Sequence, residues 1–313
     1  MANNQFAQKH FHDEDAARAW FEAARWPDGP VCPNCGSLKH YATKKAGRYR
    51  CAEKECRKDF TVQTKSVMER SHAPLAQWAV AFQMAASSKK GFSAHQLHRQ
   101  LGCQYNTAWF LHHRVMEAMR RGGLDLPPLG GEGKVVEVDE TYFGNVPEAK
   151  RPTKTTSGRP FLKAGRHGPS GKRAIIALVE RGGDVRSFHV AVADQLTVQA
   201  IVGANIAKES RLHTDESRLY FGADKHFASH ETVKHSANEY ARGDVTTNSV
   251  EGYFSIFKRG MKGVYQHCAE KNLHRYLAEF EFRYNTRKIT DGERAVLAVR
   301  GGEGKRLTYR PTH

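Results

Sequence analysis

The chain has 313 residues, with 49 Lys+Arg against 33 Asp+Glu and a formal net charge of +16. That length leaves room for two or three domains with at least one sizeable core, and the cationic surplus points to a polyanionic partner. A membrane surface is the competing partner, but no apolar run reaches transmembrane length and residues 1–12 lack the apolar segment of a signal peptide, so a cytoplasmic, nucleoid-associated protein is expected.

In chain order, residues 12–26 read as a short helix. Asp13 and Glu14 stand where the helix dipole favours acids, with Trp20, Phe21 and Ala24 on one apolar face. Pro27-Asp28-Gly29 ends it, closing an N-terminal segment 1–28. Residues 29–66 carry Cys32-Pro33-Asn34-Cys35 and, after fifteen intervening residues, Cys51-Ala52-Glu53-Lys54-Glu55-Cys56, with short strand-like pieces at 49–50 and 60–62. Each short spacer places two thiolates on one turn, and two turns close a tetrahedron around Zn²⁺. About 35 residues cannot bury a core of their own, whereas zinc can supply roughly 10–16 kcal/mol. Four cysteines leave no open coordination position, so the expected zinc is structural and single.

Residues 67–122 read as helical. Ser93 can cap a helix to Leu101, Gly102-Cys103-Gln104 makes a tight turn, and a second helix runs from Asn106 to Met119. That layout is a helix-turn-helix whose second helix enters the major groove of double-stranded DNA, with Thr107, Trp109, His112, His113 and Arg114 as expected DNA-binding residues. An ordinary helical hairpin is the plainer reading of the same pattern. Residues 123–133 form a Gly/Pro-rich linker.

From Lys134 the pattern changes to strands at 135–139, 174–179 and 185–192, then a helix at 197–207, a short strand ending near Asp215, and helices at 247–261 and 270–287. This order fits a mixed-sheet α/β domain over 134–290, followed by a C-terminal tail, 291–313. Residues 148–173, with eight Lys or Arg and one acid, read as an inserted loop that is either merely solvated or touches a DNA backbone. In the helix beginning near 247, Asn248, Glu251, Ser255 and Lys258 share one stripe while Val250, Phe254, Phe257 and Met261 form another. Asp139 and Asp215 close two strands. Two strand-end acids and a ligand from a helix can hold two Mg²⁺ ions, with Mn²⁺ as a substitute, for in-line attack at phosphorus. Lys258 would bind a phosphate beside the scissile bond. Taken singly, Asp139 also reads as a turn residue, Asp215 as a helix cap and Glu251–Lys258 as a solvated face.

Thirty-five residues separate Asp215 from Glu251, and Lys258 lies seven further on. This resembles the layout of DDE transposases. More specifically, Cys56-Arg57-Lys58-Asp59-Phe60, Ser88 to Ser93, Thr107 to Phe110, Val136 to Gly144, Thr247 to Gly252 and Phe282-Arg283-Tyr284-Asn285 resemble the ISXO2-like insertion-sequence transposases. The resemblance implies a ribonuclease-H-like catalytic domain, catalytic and Mg²⁺-binding roles for Asp139 and Asp215, and at least a homodimer when two element ends are paired. For the third ligand it leaves Asn248 and Glu251 both open. A carboxylate binds Mg²⁺ more strongly than an amide, which favours Glu251 with Asn248 as ligand or substrate-orienting neighbour. A non-catalytic DNA-binding regulator, a decayed transposase, and a ribonuclease-H-like nuclease or resolvase share parts of the pattern.

Overall fold

The computed structural model describes residues 5–121, 126–144, 172–234, 237, 239 and 241–307. The basic insertion at 148–173 lies outside these residues except for its last two. The chain divides into two compact units, one of residues 1–122 with 278–313 and one of residues 123–277.

The first unit opens with α1 (Glu14–Arg25), capped by Asp13, whose carboxylate accepts from the Ala16 amide at 2.8 Å. A three-stranded antiparallel sheet follows, β1 (His40–Ala42), β2 (Tyr49–Cys51) and β3 (Asp59–Phe60). Three helices come next: α2 (Leu75–Ser87), α3 (Ala94–Leu101) and α4 (Tyr105–Met119). As expected from the sequence, the Ser93 hydroxyl caps α3 by accepting from the Gln96 amide, and Gly102 ends it in the left-handed region at φ 61°.

The expected C-terminal tail is in part a helix, α8 (Asp291–Gly301), opened by a reciprocal capping box between Thr290 and Glu293. Ala298 and Val299 join Phe21, Trp78, Phe82 and Leu111 in one buried apolar cluster. Arg294 donates to the Ala86 carbonyl at 2.9 Å and Arg300 to that of Ala24 at 2.6 Å. The approach of α8 to α4 is close enough that a Cβ on Gly301 would sit 2.5 Å from the Ala118 carbonyl oxygen. The helical unit is therefore discontinuous in sequence, residues 278–313 joining residues 1–122.

The second unit is built on a five-stranded mixed sheet in the order β6-β5-β4-β7-β8, with β4 (Val135–Phe143), β5 (Arg173–Glu180), β6 (Val185–Val190), β7 (Arg211–Asp215) and β8 (Ser229–Val233). β4 runs antiparallel to β5 and parallel to β7, and β7 parallel to β8. β8 was not anticipated. Alternation along β4 sends Val136 and Val138 to one face, where they pack with Ile176, Leu212 and, from α5 (Gln195–Asn205), Val198 and Val202. Glu137, Asp139 and Thr141 point to the other face. That face is met by α6 (Asn248–Gly260), which buries Val250, Tyr253, Phe254 and Phe257. A short hairpin, β9 (Ala241–Arg242) with β10 (Val245–Thr246), leads into α6, and α7 (Leu273–Asn285) follows it.

Candidate metal centres and nucleic-acid interface

The four cysteines of the first unit converge. Their Sγ atoms all lie within 4.8 Å of one another, with Cys32–Cys56 at 3.8 Å and Cys35–Cys51 at 3.5 Å. Two turns of similar design achieve this: the amides of Gly36 and Arg57 reach back to the carbonyls of Cys32 and Glu53. The residue after each second cysteine has positive φ, 77° at Gly36 and 49° at Arg57. The longer CxxxxC half thus ends in the same left-handed geometry as the CxxC half, but with a side chain where glycine is favoured. Burial pushes the Cys51 thiol up to about 12. Burial acts the same way on Cys32, but the Asn34 and Cys35 amides and the neighbouring thiols outweigh it and bring that thiol down to about 7. Four thiols gathered at this spacing are the donor set that a zinc ion would complete.

In the second unit, the strand register assembles the acids. Val135, Val136 and Glu137 of β4 lie beside Arg211, Leu212 and His213 of β7, and the same offset places Asp139 beside Asp215. Adjacent strands lie about 4.8 Å apart. Burial, then the charges of Glu140, Asp215 and Glu251, push the Asp139 carboxyl up to about 8. Glu140, which sequence reasoning did not single out, is held by the Tyr220 hydroxyl at 2.8 Å, and its own carboxyl is raised by burial with Asp215 adding to it. Asp215 accepts from the Ser217 amide at 3.0 Å.

On α6 the expected division into stripes is present. Asn248 and Glu251 are exposed and Ser255 and Lys258 half-buried, while Val250, Phe254, Phe257 and Met261 are buried. Glu251 accepts a 2.7 Å hydrogen bond from the Thr247 hydroxyl. Burial draws the Lys258 ammonium down, opposed by the Asp139 carboxylate, so the two groups feel one another. Among the described residues, only the cysteine set brings three or more metal-binding groups within 4.8 Å of one another. The acids share a face and repel, without closing to that distance.

The helical pair is placed differently from expectation. Thr107 and Trp109 are partly exposed, near the start of α4, beside exposed Gln104, Tyr105 and Asn106. His112, His113 and Arg114 are buried and face no solvent. His112 packs on Phe92 at 4.5 Å, and burial with the charge of Arg283 draws it down to about 3, a neutral imidazole. Arg114 donates to the Glu69 carbonyl at 2.9 Å and lies 4.1 Å from the centre of the Phe110 ring. Their partners come from outside α4, Phe92 and Arg283 at His112 and the Glu69 carbonyl at Arg114, on faces that the sequence left open.

The chain that carries this acidic sheet face, its polar helix and the four-cysteine module falls, by comparison with known families, in the class of transposases with a zinc ribbon. The chain matches the profile of the ISXO2-like transposase domain over residues 128–285 and that of the transposase zinc-ribbon domain over residues 12–59. It belongs to the ISXO2-like transposase family. It is also 26% identical over 281 residues to a protein described as uncharacterized in transposable element ISH50 of Halobacterium salinarum, a span covering 88% of this chain and 92% of that protein.

Proposed function

We propose that this chain is the transposase of an insertion sequence, binding the terminal repeats of its element as double-stranded DNA and cutting and joining strands with the help of Mg²⁺ or Mn²⁺. The observation that supports this best is the self-repelling acid set: Asp139 is raised to about 8 by burial and by three other carboxylates. Clustered carboxylates are costly unless a cation joins them, and hard oxygen donors suit Mg²⁺. The donor set therefore fits that ion. Bound there, divalent metal supplies charge neutralisation and an activated oxygen nucleophile. Asp139 and Asp215 are the proposed strand ligands and Glu251 the helix ligand, oriented by Thr247. Asn248, exposed in the first turn of the same helix, orients substrate or completes the shell. Lys258 holds a phosphate. The sheet order, with three antiparallel strands followed by two parallel ones, supports a ribonuclease-H-like fold.

The zinc ribbon and the α3–α4 pair are the proposed end-recognition elements. Groove contact falls to the start of α4, through Thr107 and Trp109 with Gln104, Tyr105 and Asn106, because helix-turn-helix modules read bases from the N-terminal residues of the second helix. Among the described residues no helix is long and apolar enough to cross a membrane, which agrees with a cytoplasmic protein working on nucleoid DNA. Joining two ends requires at least a dimer in the active complex.

The test is cleavage of end DNA by purified protein, wild type against Asp215→Asn, with Mg²⁺ or with EDTA. Cleavage by wild type with Mg²⁺ alone, lost at least 1000-fold in the variant while end binding persists, is expected. Equal cleavage by both proteins rules out the site, and end binding without cleavage by wild type favours a DNA-binding regulator or decayed enzyme.

A further inference from the structure

Glu137 is fully buried, yet its carboxylate makes five hydrogen bonds. One oxygen accepts from the Ser249 hydroxyl at 3.0 Å and from Arg181 Nε and Nη2 at 3.1 and 2.8 Å. The other accepts from the Ser249 and Val250 amides at 2.7 and 3.1 Å. Those amides belong to the first turn of α6, where helix N–H groups have no partner within the helix. The helix does not cap itself. Thr247 stands at the capping position, but its hydroxyl makes no cap bond and is given to Glu251 instead. The missing cap comes from β4, 112 residues away in sequence. Arg181 completes the grip: besides Glu137, it donates to the Asp244 carbonyl at 2.8 Å and the Thr246 hydroxyl at 3.1 Å, in the segment that feeds α6.

Two consequences follow from position. Glu137 precedes Asp139 by two residues on the same strand face, about 6.6 Å along the strand. The amide it holds at Val250 immediately precedes Glu251. We propose that Glu137 is a positioning residue that fixes α6 to β4, so that the helix end bearing Glu251 is held against the strand bearing Asp139 before metal draws the acids together. This rests on the metal-dependent reading of the site given above. It is not itself a ligand, since a carboxylate offers about four lone-pair sites and five donors already occupy them. A buried anion satisfied in this way is also intolerant of change: an amide in its place would turn a donor toward backbone N–H groups or toward Arg181.

The experiment uses full-length, zinc-loaded protein as wild type, Glu137→Gln, Ser249→Ala and Asp139→Asn. Three quantities are read: hydrogen exchange at the Ser249 and Val250 amides, Mn²⁺ affinity by electron paramagnetic resonance, and cleavage of end DNA. For Glu137→Gln the expected result is at least tenfold loss of protection at those two amides, with β4 and β5 amides unchanged, and at least tenfold weaker Mn²⁺ binding. Turnover should fall without loss of end binding. Wild-type protection and Mn²⁺ affinity in Glu137→Gln would overturn the proposal. If that variant fails to fold, Ser249→Ala decides, because it removes only the 3.0 Å hydroxyl bond. Two- to fivefold weaker Mn²⁺ binding is expected there, and an unchanged value overturns the proposal. Asp139→Asn separates the two readings: full Mn²⁺ affinity in that variant would remove the metal site, whereas the exchange result stands or falls with the clamp alone.

Discussion

In the cysteine module four ligands occur within 25 residues, on two turns whose local backbone aims each thiol inward. On the acidic face Asp139 and Asp215 are 76 residues apart, and Glu251 follows 36 later. Nothing local aims them; the register of β4 against β7 and the docking of α6 do. In the first case the ion is expected to hold the fold, and in the second the fold is proposed to hold the place for an ion. The difference shows in the ionisable groups without any metal. The module mixes a thiol lowered to about 7 with one raised to about 12, whereas the acidic face carries a frustrated carboxyl at about 8.

The contrast breaks most visibly if zinc is removed. Chelation, or Cys51→Ser, should forfeit most of the roughly 10–16 kcal/mol that such sites supply, and hydrogen exchange should show residues 29–66 losing protection while the five-stranded sheet keeps it. Retained protection at 29–66 would mean that the module folds on its own packing. The acidic face should respond in the opposite sense. With a folded value near 8 and an ordinary value of 3.8, the Asp139 carboxyl contributes stability below about pH 4 that is lost as pH rises through 8. Asp139→Asn should therefore stabilise metal-free protein at pH 8 by about 5 kcal/mol, with the gain vanishing near pH 4. Urea titrations at the two pH values, with and without Mg²⁺, would measure it, and a destabilised variant at pH 8 would remove the repulsion.

Smaller effects sharpen the picture of the first unit. Gly301→Ala should destabilise it by about 2 kcal/mol through overpacking against the Ala118 carbonyl, seen as a lower unfolding midpoint for the helical unit. An unchanged midpoint would mean that α8 shifts freely. Arg57→Gly should relieve the positive φ and strengthen the module by about 1 kcal/mol, or about fivefold in zinc affinity by chelator competition. Weaker binding in that variant would show that the arginine side chain contributes more than its backbone costs.

The sequence made the locally specified features legible. The cysteine turns, the Ser93 cap with Gly102, and the two stripes of α6 all depend on spacings of a few residues. What it hid depends on distant partners. An acid inside the apolar run of β4 reads as a solvent-facing alternation, and only the arrival of α6 turns Glu137 into a buried cap. His112, His113 and Arg114 look like a polar surface until Phe92, Arg283 and the Glu69 carbonyl are seen to meet that stretch of α4. The sign of α8 was present, since Thr290 and Glu293 have capping-box spacing, but a Gly-rich, basic end reads as a tail. β8 is half-buried and polar along most of its length, so it lacks the apolar alternation that marked its neighbours.

The return of the chain in α8 also sets an order of events during synthesis. Residues 123–277 are made between the two parts of the helical unit, and at roughly 5–20 residues per second that interval lasts about 8–30 s. Until Ala298 and Val299 emerge from the ribosome, the cluster around Phe21, Trp78 and Phe82 lacks one wall. A product terminated before α8 would carry the four cysteines of the module and both helices of the α3–α4 pair, yet leave that core open to water. Broken copies of such a gene would therefore yield chaperone and protease substrates instead of stable fragments.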